Sequence, residues 1–254
     1  MRGFGTGDPA IPVRWFDELD STNAEARRRA EAGETGPLWI AARRQTAGRG
    51  RRGRSWDTIE GNLAATLLAT TDLPPGEAAQ LSFVVALAVG ELARAWVPPE
   101  LVAFKWPNDL LLAGGKVSGI LIESGRHADG GLWLAIGVGV NLAAAPDLPG
   151  QATAAIAAHL RQGLAAPAPE AALEFLSASL ARQIAAWRQG GFEPVRRAWL
   201  AAAMTMGRSC TVRLGEVVLR GTALDLDADG ALLLRLDSGE VRRITAGDVI
   251  LEGS

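Results

Sequence analysis

The hydrophobic period of the chain changes near Gly207, and that change divides the fold. From there CTVRL, EVVLRGTALDLD, ALLLRLD and EVRRITAGDVILE alternate apolar with polar residues around the turns Asp229-Gly230 and Ser238-Gly239. A period of two means short strands with one buried face, so the last stretch, about 45 residues, reads as a small β-barrel, SH3-like in strand count. Upstream the elements are longer and mixed. VRWFDEL (13–19) reads as a strand, and AEARRRAEAG as a helix that ends at Gly33, with Thr22 and Glu25 spaced as a capping box. Strands follow at 37–44 and 61–70, then a long apolar helix at 77–96 that stops before Pro98-Pro99. LVAFKW, LLL, KVSGILIES and LWLAIGVGV are further strands between Pro, Asn, Asp and Gly turns, and 167–203 returns to helix with a break at Gly190-Gly191. The expected fold is α+β: a mixed central β-sheet with helices over residues 1–205, and a small C-terminal SH3-like β-barrel over 206–254.

Composition excludes several classes. Of 254 residues 48% are hydrophobic and 21% charged, which is ordinary for a globular chain and foreign to a disordered or fibrous one. The longest uninterrupted apolar stretch, Leu81 to Val89, falls short of the about 20 residues that span a bilayer, so no membrane segment is expected. MRGFGTGDPA has no apolar h-region and does not read as a secretory signal. Cys210 is the only cysteine, which rules out an internal disulfide and makes a cytoplasmic location the natural reading. A net charge of −2 argues against a surface built for nucleic acid. Within that balance, 24 of the 26 basic residues are arginine, and the two lysines, Lys105 and Lys116, fall within twelve positions of each other. Composition bias with chance survival is the bland account. The alternative is a site that needs a compact point charge where arginine offers a planar fork.

Gly48-Arg49-Gly50-Arg51-Arg52-Gly53 matches the dinucleotide fingerprint letter for letter but fails on context, because no amphipathic helix follows it. Six arginines and no acid lie within 43–54, so the physical reading is a flexible polyanion-binding loop, against the bland one of a solvated basic loop. Few apolar side chains hold that loop down, and it is expected to be mobile without ligand. Gly114-Gly115-Lys116-Val117 lacks the hydroxyl and the upstream glycine of a P-loop. His127 and His159 have no metal-ligand spacing with Cys210. Asn108-Asp109 is an ordinary turn pair, raised in interest by its place between the only lysines. Gly137-Val138-Gly139-Val140-Asn141 can bring a strand end close to a nucleotide, with Asn141 offering a donor and an acceptor.

Taken in order, Ser21-Thr22-Asn23, Gln45 with GRGRRGRSW, KWPNDL, GGKVSGILIE and GVGVN resemble the biotin–protein ligases, also called biotin–acetyl-CoA-carboxylase ligases, over roughly residues 13–254. Each motif alone is weak, and five in order are specific. The dozen or so residues before the first strand leave no room for the DNA-binding domain some members carry, so the single-function type without DNA is expected. The resemblance implies a class II synthetase-like catalytic domain that uses MgATP to convert biotin to biotinyl-5′-AMP, then passes the acyl group to a lysine of a biotin carboxyl carrier protein. It implies that Ser21, Thr22, Asn23, Gln45, Gly48, Arg49, Gly50, Arg51 and Lys116 line the biotin pocket. It implies that Trp56, Lys105, Asn108 and Asn141 serve ATP, Trp56 by stacking on adenine, and that Lys116, Lys105, Arg49 and Arg51 carry the charge of catalysis. For Asp109 two roles stay open, a Mg²⁺ contact or help in deprotonating the acceptor amine. The family's habit of pairing central sheets admits a homodimer, and no sequence feature decides it. A lipoate–protein ligase shares the two-step logic, but its R-R-x-x-G-G-G type motif is replaced here by GRGRRG. An RNA-binding module is the competitor from another class, and it is opposed by the net charge and the absence of tyrosine.

Overall fold

The computed structural model describes residues 11–127 and 130–251, so the reading made of MRGFGTGDPA lies outside the described residues. A seven-stranded sheet takes β1 (Val13–Leu19), β2 (Leu38–Gln45), β3 (Leu63–Thr71), β4 (Val102–Lys105), β5 (Asp109–Leu112), β6 (Gly115–Arg126) and β7 (Leu132–Val140) in the order β1-β2-β3-β7-β6-β5-β4. The β1–β2 pair is parallel and the others antiparallel, which makes the sheet mixed as expected. Helix α1 (Thr22–Glu31) covers one face against β2, β3 and β7; α2 (Pro75–Trp96) and α3 (Pro169–Gly190) cover the other. The β5–β6 connection is the two residues Ala113 and Gly114, with φ of 50° and 86°, the two-residue hairpin geometry in which both positions are left-handed.

Two local expectations change. The capping box assigned to Thr22 and Glu25 is one residue out of place: Ser21 is the N-cap, its hydroxyl accepting from the Ala24 amide. That frees the Thr22 side chain, inside the first turn, for contacts elsewhere. Helix α2 also exceeds the apolar stretch counted along the sequence, since small polar interruptions do not lower its mean hydropathy of 1.4, and by length and composition it is long enough to cross a membrane. Of that window 72% is buried inside the protein, where Leu81, Val84, Val85, Ala88 and Leu92 meet the sheet. It is the core helix of this fold.

Beyond α4 (Phe192–Leu200) come β8 (Ser209–Leu214), β9 (Val217–Leu226), β10 (Leu232–Leu236), β11 (Val241–Ile244) and β12 (Asp248–Leu251). They form a five-stranded antiparallel sheet in the order β11-β10-β9-β8-β12, the small C-terminal unit expected from the alternation. It is not insulated from the rest. Cys210, Val212, Ala223, Leu226 and Leu232 belong to the same apolar cluster as α2 and the large sheet. Trp106, 2% exposed, donates its indole N–H to the Gly230 carbonyl at 3.1 Å, and Arg196 on α4 bonds the Leu226 carbonyl at 2.7 Å and the Asp225 carboxylate at 2.6 Å.

Gly230 is the tightest point of that junction. Its φ is +87°, and a Cβ built there would stand 2.5 Å from the Phe83 ring. Gly230→Ala is therefore expected to cost about 1–3 kcal/mol by overpacking, with the left-handed backbone adding to it. Because the core is shared, urea unfolding of the parent should be one transition with both units lost together, and the variant's midpoint should fall without the transition splitting.

Candidate active site

On the α1 face the sheet tapers to bare backbone. Along β7 the residues facing α1 run Trp133, Ala135, Gly137, Gly139, and side chains of one strand face alternate at a period of two. Ala26 and Ala30 of α1 pack on the bulky end with Trp133, Ala135, Leu38, Ile40 and Leu68. At the glycine end the sheet is uncovered, and a cavity of about 390 Å³ opens. Its floor is one cross-strand row, in which Asp109 pairs with Gly119, Gly119 with Gly139, and Gly139 with Ala64; Lys105, paired with Asp109, continues the row beyond the cavity. The row is charged at one end and empty in the middle.

Lys116 reaches this floor through a bulge. The register of β5 and β6 shifts between Leu110 and Leu111, leaving Val117 as the extra residue, which reverses the alternation and brings Lys116 alongside Gly119. A Cβ at Gly119 would be 3.3 Å from Lys116 Cε. Lys116 Nζ lies 2.6 Å from Asp109 Oδ1, with both side chains below 20% exposed, and 5.7 Å from the centroid of the Trp56 ring. Lys105, opposite Asp109, stands behind the cavity and does not line it; burial pushes its pKa below the usual lysine range, against the pull of Asp109.

The start of α1 closes the next row, where Leu121, Gly137, Thr66 and Ile40 pair across four strands. The Thr66 hydroxyl, fully buried, sits 2.6 Å from Asn23 Oδ1 and 2.8 Å from Thr22 Oγ1. Asn23 Nδ2 donates to Glu123 Oε2 at 2.9 Å, and Thr22 gives its backbone N–H and its hydroxyl to Gln45 Oε1 at 2.8 and 3.1 Å. Gln45 Nε2 in turn donates to Thr58 at 3.0 Å. Gly137 makes this possible, since a Cβ there would fall 2.1 Å from Asn23 Oδ1. Ser21, Thr22, Asn23 and Gln45 all line the cavity, and their side-chain polar atoms are already engaged, by each other in the Thr22–Gln45 pair and otherwise by Ala24, Thr58, Thr66 and Glu123.

The arginine loop folds as a tight hairpin over the opening. Trp56 N–H donates to the Gly48 carbonyl at 2.9 Å and Gly50 N–H to Arg54 at 2.7 Å, around one 3-10 turn at Arg51–Gly53. Arg49 approaches Glu123 at 3.6 Å, and Arg51 donates to Asn108 Oδ1 at 3.1 Å while burial lowers its pKa. Asn108 is itself tied to β6, its Nδ2 donating to the Ile120 carbonyl at 2.8 Å. Gly48 sits outside the cavity lining, pressed against the Trp56 carbonyl, where a Cβ would meet it at 2.2 Å. The Trp56 ring lies on the bare pair itself: a Cβ on Gly139 would come within 2.3 Å of it. Asn141, 2% exposed, lines the cavity and donates to the Ala154 carbonyl at 3.1 Å, while its buried Oδ1 has no hydrogen-bond partner among the described residues.

Sequence reasoning missed Thr66, Thr58 and Glu123, though a lone polar position inside the apolar run GNLAATLLAT was a signal for the first. It also missed the segment 146–153, whose Leu148, Gln151 and Thr153 line the cavity because its backbone pairs with Lys116, Lys116 N–H donating to the Ala152 carbonyl at 2.8 Å. Nothing in that segment's composition announces it.

Residues 15–141 match the biotin/lipoate A/B protein ligase family and 205–252 the biotin protein ligase C-terminal domain. The chain is 44% identical over 239 residues to a biotin–[acetyl-CoA-carboxylase] ligase of Paracoccus denitrificans, covering 92% of this chain and 98% of that one. It is 32% identical over 255 residues to the enzyme of the same description from Mycobacterium tuberculosis, covering 98% and 91%. Among solved structures it is similar to the biotin protein ligase from Aquifex aeolicus in complex with biotin and ATP, with 26% identity, a TM-score of 0.76 and coverage of 96% and 99%.

Thr66→Val tests the buried network directly. It keeps the volume and removes the hydroxyl that Asn23 and Thr22 share, leaving Asn23 Oδ1 buried without its donor. The expected loss is about 1–3 kcal/mol in denaturant unfolding. A change within a few tenths would mean that Asn23 is held by Glu123 and the Leu121 carbonyl without help from Thr66.

Proposed function

The chain belongs to the biotin/lipoate A/B protein ligase family, and on that premise we propose that the tapered cavity is where its two-step reaction takes place. The reaction is that of a biotin–protein ligase: biotin and MgATP give biotinyl-5′-AMP and pyrophosphate, and the biotinyl group then passes to a lysine of a biotin carboxyl carrier protein. The observation that carries the assignment is the Gly119–Gly139 pair, bare of side chains of its own, bounded by the Lys116–Asp109 ion pair and covered by Trp56 and the arginine loop. A compact bicycle and the chain that leads to its carboxylate need a floor without side chains; a carboxylate attacking a phosphate needs cations at its margin.

In this reading the bicyclic head of biotin enters beneath α1, toward Ser21, Thr22, Asn23 and Gln45, and its carboxylate points to Lys116. The bonds of Thr22 to Gln45 and of Asn23 to Thr66 and Glu123 make them a pre-set frame rather than a ring of free donors, so little ordering is left for the substrate to impose. Biotin's carboxylate oxygen attacks the α-phosphorus and the bond to the bridging oxygen of pyrophosphate breaks. Lys116 and Arg51 stabilise the charge gathering on the phosphoryl oxygens, Arg49 and the backbone of Gly48 and Gly50 close the loop over the adenylate, and Lys105 neutralises the phosphate tail. Asn141 offers its unpartnered Oδ1 to a base N–H, and Asn108 keeps Arg51 turned inward. Trp56 starts on the glycine floor and serves as a wall that yields to the ligand, stacking on adenine once displaced. In the second step the acceptor nitrogen attacks the acyl carbon, the carbon–oxygen bond to phosphate breaks and AMP leaves.

Among the described residues no cluster of three metal-ligating side chains exists, and Asp109 is the carboxylate held against Lys116. That donor set fits a magnesium ion carried by ATP phosphates, which needs only one or two protein carboxylates. When bound, the ion screens phosphate charge. Asp109 stands where a magnesium contact or the deprotonation of the acceptor amine would each need it. The reading also divides the chain at 205/206 and places the enzyme in the cytoplasm, beside the carrier it modifies.

Incubation with biotin, MgATP and labelled pyrophosphate is expected to give biotin-dependent exchange; lipoate-dependent exchange would move the assignment to the sister ligases. Lys116→Arg should lose about 10² to 10³ in single-turnover adenylation, because the planar fork does not fit between Asp109 and the Trp56 face. Near-normal adenylation by that variant would remove Lys116 from the reaction. Lys105→Met should raise the KM for ATP about ten- to a hundredfold, the worth of a hydrogen bond to a charged group. Since burial holds the Lys105 pKa down, the charged form is a cost to the fold, so its thermal midpoint should stay level or rise. A marked fall in midpoint would make Lys105 structural.

A further inference from the structure

Two of the loop's arginines are not used by the chemistry assigned to the cavity, and both reach the C-terminal sheet. Arg54 Nη2 lies 2.6 Å from Asp248 Oδ1, and Arg52 Nη1 lies 3.3 Å from Asp248 Oδ2 and 3.0 Å from the Arg213 carbonyl. Asp248 begins β12 and pairs with Arg213 of β8, so the acceptors belong to one rung of that sheet. Arg52 is held at φ 55° and ψ 35°, a left-handed conformation disfavoured for a residue with a side chain and kept only where surrounding contacts dictate it. Here those contacts come from the other sheet.

We propose that Asp248 is a positioning residue for the ligase reaction: through Arg52 and Arg54 it clamps the arginine loop over the cavity, so that the C-terminal sheet sets how long biotinyl-5′-AMP is retained. The proposal rests on the biotin-ligase reading. The loop's backbone hydrogen bonds from Gly48 to Trp56 close mainly on the loop itself, and its outward ties are made by side chains. Of these, Arg49–Glu123 and Arg51–Asn108 sit at the cavity edge, where an arriving phosphate competes for the same guanidinium groups. Arg54 also borders the cavity, but its partner Asp248 does not, and Arg52 lies wholly outside the lining, so the Asp248 tie is anchored on the other sheet and not at a position that phosphate would occupy. One carboxylate taking a guanidinium on each oxygen also fixes the loop in two directions, which a single pair does not. The side chains are 29% exposed at Asp248, 36% at Arg52 and 56% at Arg54, so the clamp is partly screened and its effect is graded rather than all-or-none.

Asp248→Asn keeps the shape and removes the charge. Two readouts follow. Amide hydrogen exchange over 48–56 in the protein without biotin or ATP should speed up. In protein loaded with biotin and MgATP, release of biotinyl-5′-AMP, read as biotin appearing on the lysines of an added bystander protein, should rise roughly three- to tenfold. Single-turnover adenylation at saturating substrates should change less than about twofold, because the clamp touches no reacting atom. Arg54→Ala should do the same, and the Arg54→Ala, Asp248→Asn double variant should release no faster than the more affected single. Restored retention in Arg54→Asp combined with Asp248→Arg would tie the effect to the charge pair. Unchanged exchange and release in Asp248→Asn, or single effects that multiply in the double variant, overturns the clamp. The hydrogen-exchange arm needs no substrate, so it stands apart from a failure of biotin-dependent pyrophosphate exchange in the parent, which would count against the ligase reading itself.

Discussion

Glycine opposite glycine on neighbouring strands is the constraint from which the rest of the site follows. At the Gly119–Gly139 pair the sheet has no side chain to offer, so α1 finds nothing to pack on and ends its cover one turn earlier, at the row of Gly137 and Thr66. A strand stripped of side chains is weakened, because it loses packing area and gains freedom in the unfolded chain. The other face compensates: Val138, Val140, Ile120 and Leu134 are buried against α2 and α3, and the strand pair is the longest ladder in the sheet alongside β3–β7. Burial on one face stabilises the backbone that the other face leaves bare.

Electrostatics at the cavity follow the same economy. Every cation at its margin meets a partner before any ligand arrives: Lys116 meets Asp109, Arg49 meets Glu123, Arg51 meets Asn108. For Lys116, whose side chain is 18% exposed, lacking a partner would be costly. Pairing fixes where these groups lie, so in the proposed reading an anion that enters exchanges one set of contacts for another rather than assembling a site from solvent. The two oxygens and two nitrogens of Gln45 and Asn23 are treated likewise, bonded to Thr22, Thr58, Thr66 and Glu123.

What the sequence made legible divides along the same physical line. Period-two and period-3.6 patterns located the strands and helices because burial of one face is a local, repeating signal, and the change at Gly207 separated the two sheets. Features that break a period were invisible. The bulge that turns Lys116 toward Gly119 depends on a register shift against β5, which no property of KVSGILIES specifies. The Ser21 N-cap was displaced to Thr22 because the capping-box spacing fitted there equally well, and only the tertiary demand on the Thr22 hydroxyl decides between them. The segment 146–153 enters the site through backbone pairing with Lys116, and backbone pairing leaves no mark on composition.

The uneven use of arginine and lysine now has a geometric account. On the loop each guanidinium works at reach, spanning to β6, to the β4–β5 turn or to β12, and its several donors let one residue such as Arg52 hold a carboxylate and a carbonyl together. At the floor there is no room to span. Lys116 Nζ lies 2.6 Å from Asp109 and beneath the Trp56 ring, in a gap bounded by strand backbone, where a planar fork would collide and a single ammonium group fits. Lys105 lies across the ladder from Asp109, partly buried. In a chain otherwise biased toward arginine, a compact ammonium at Lys116 fits the proposed role of that position.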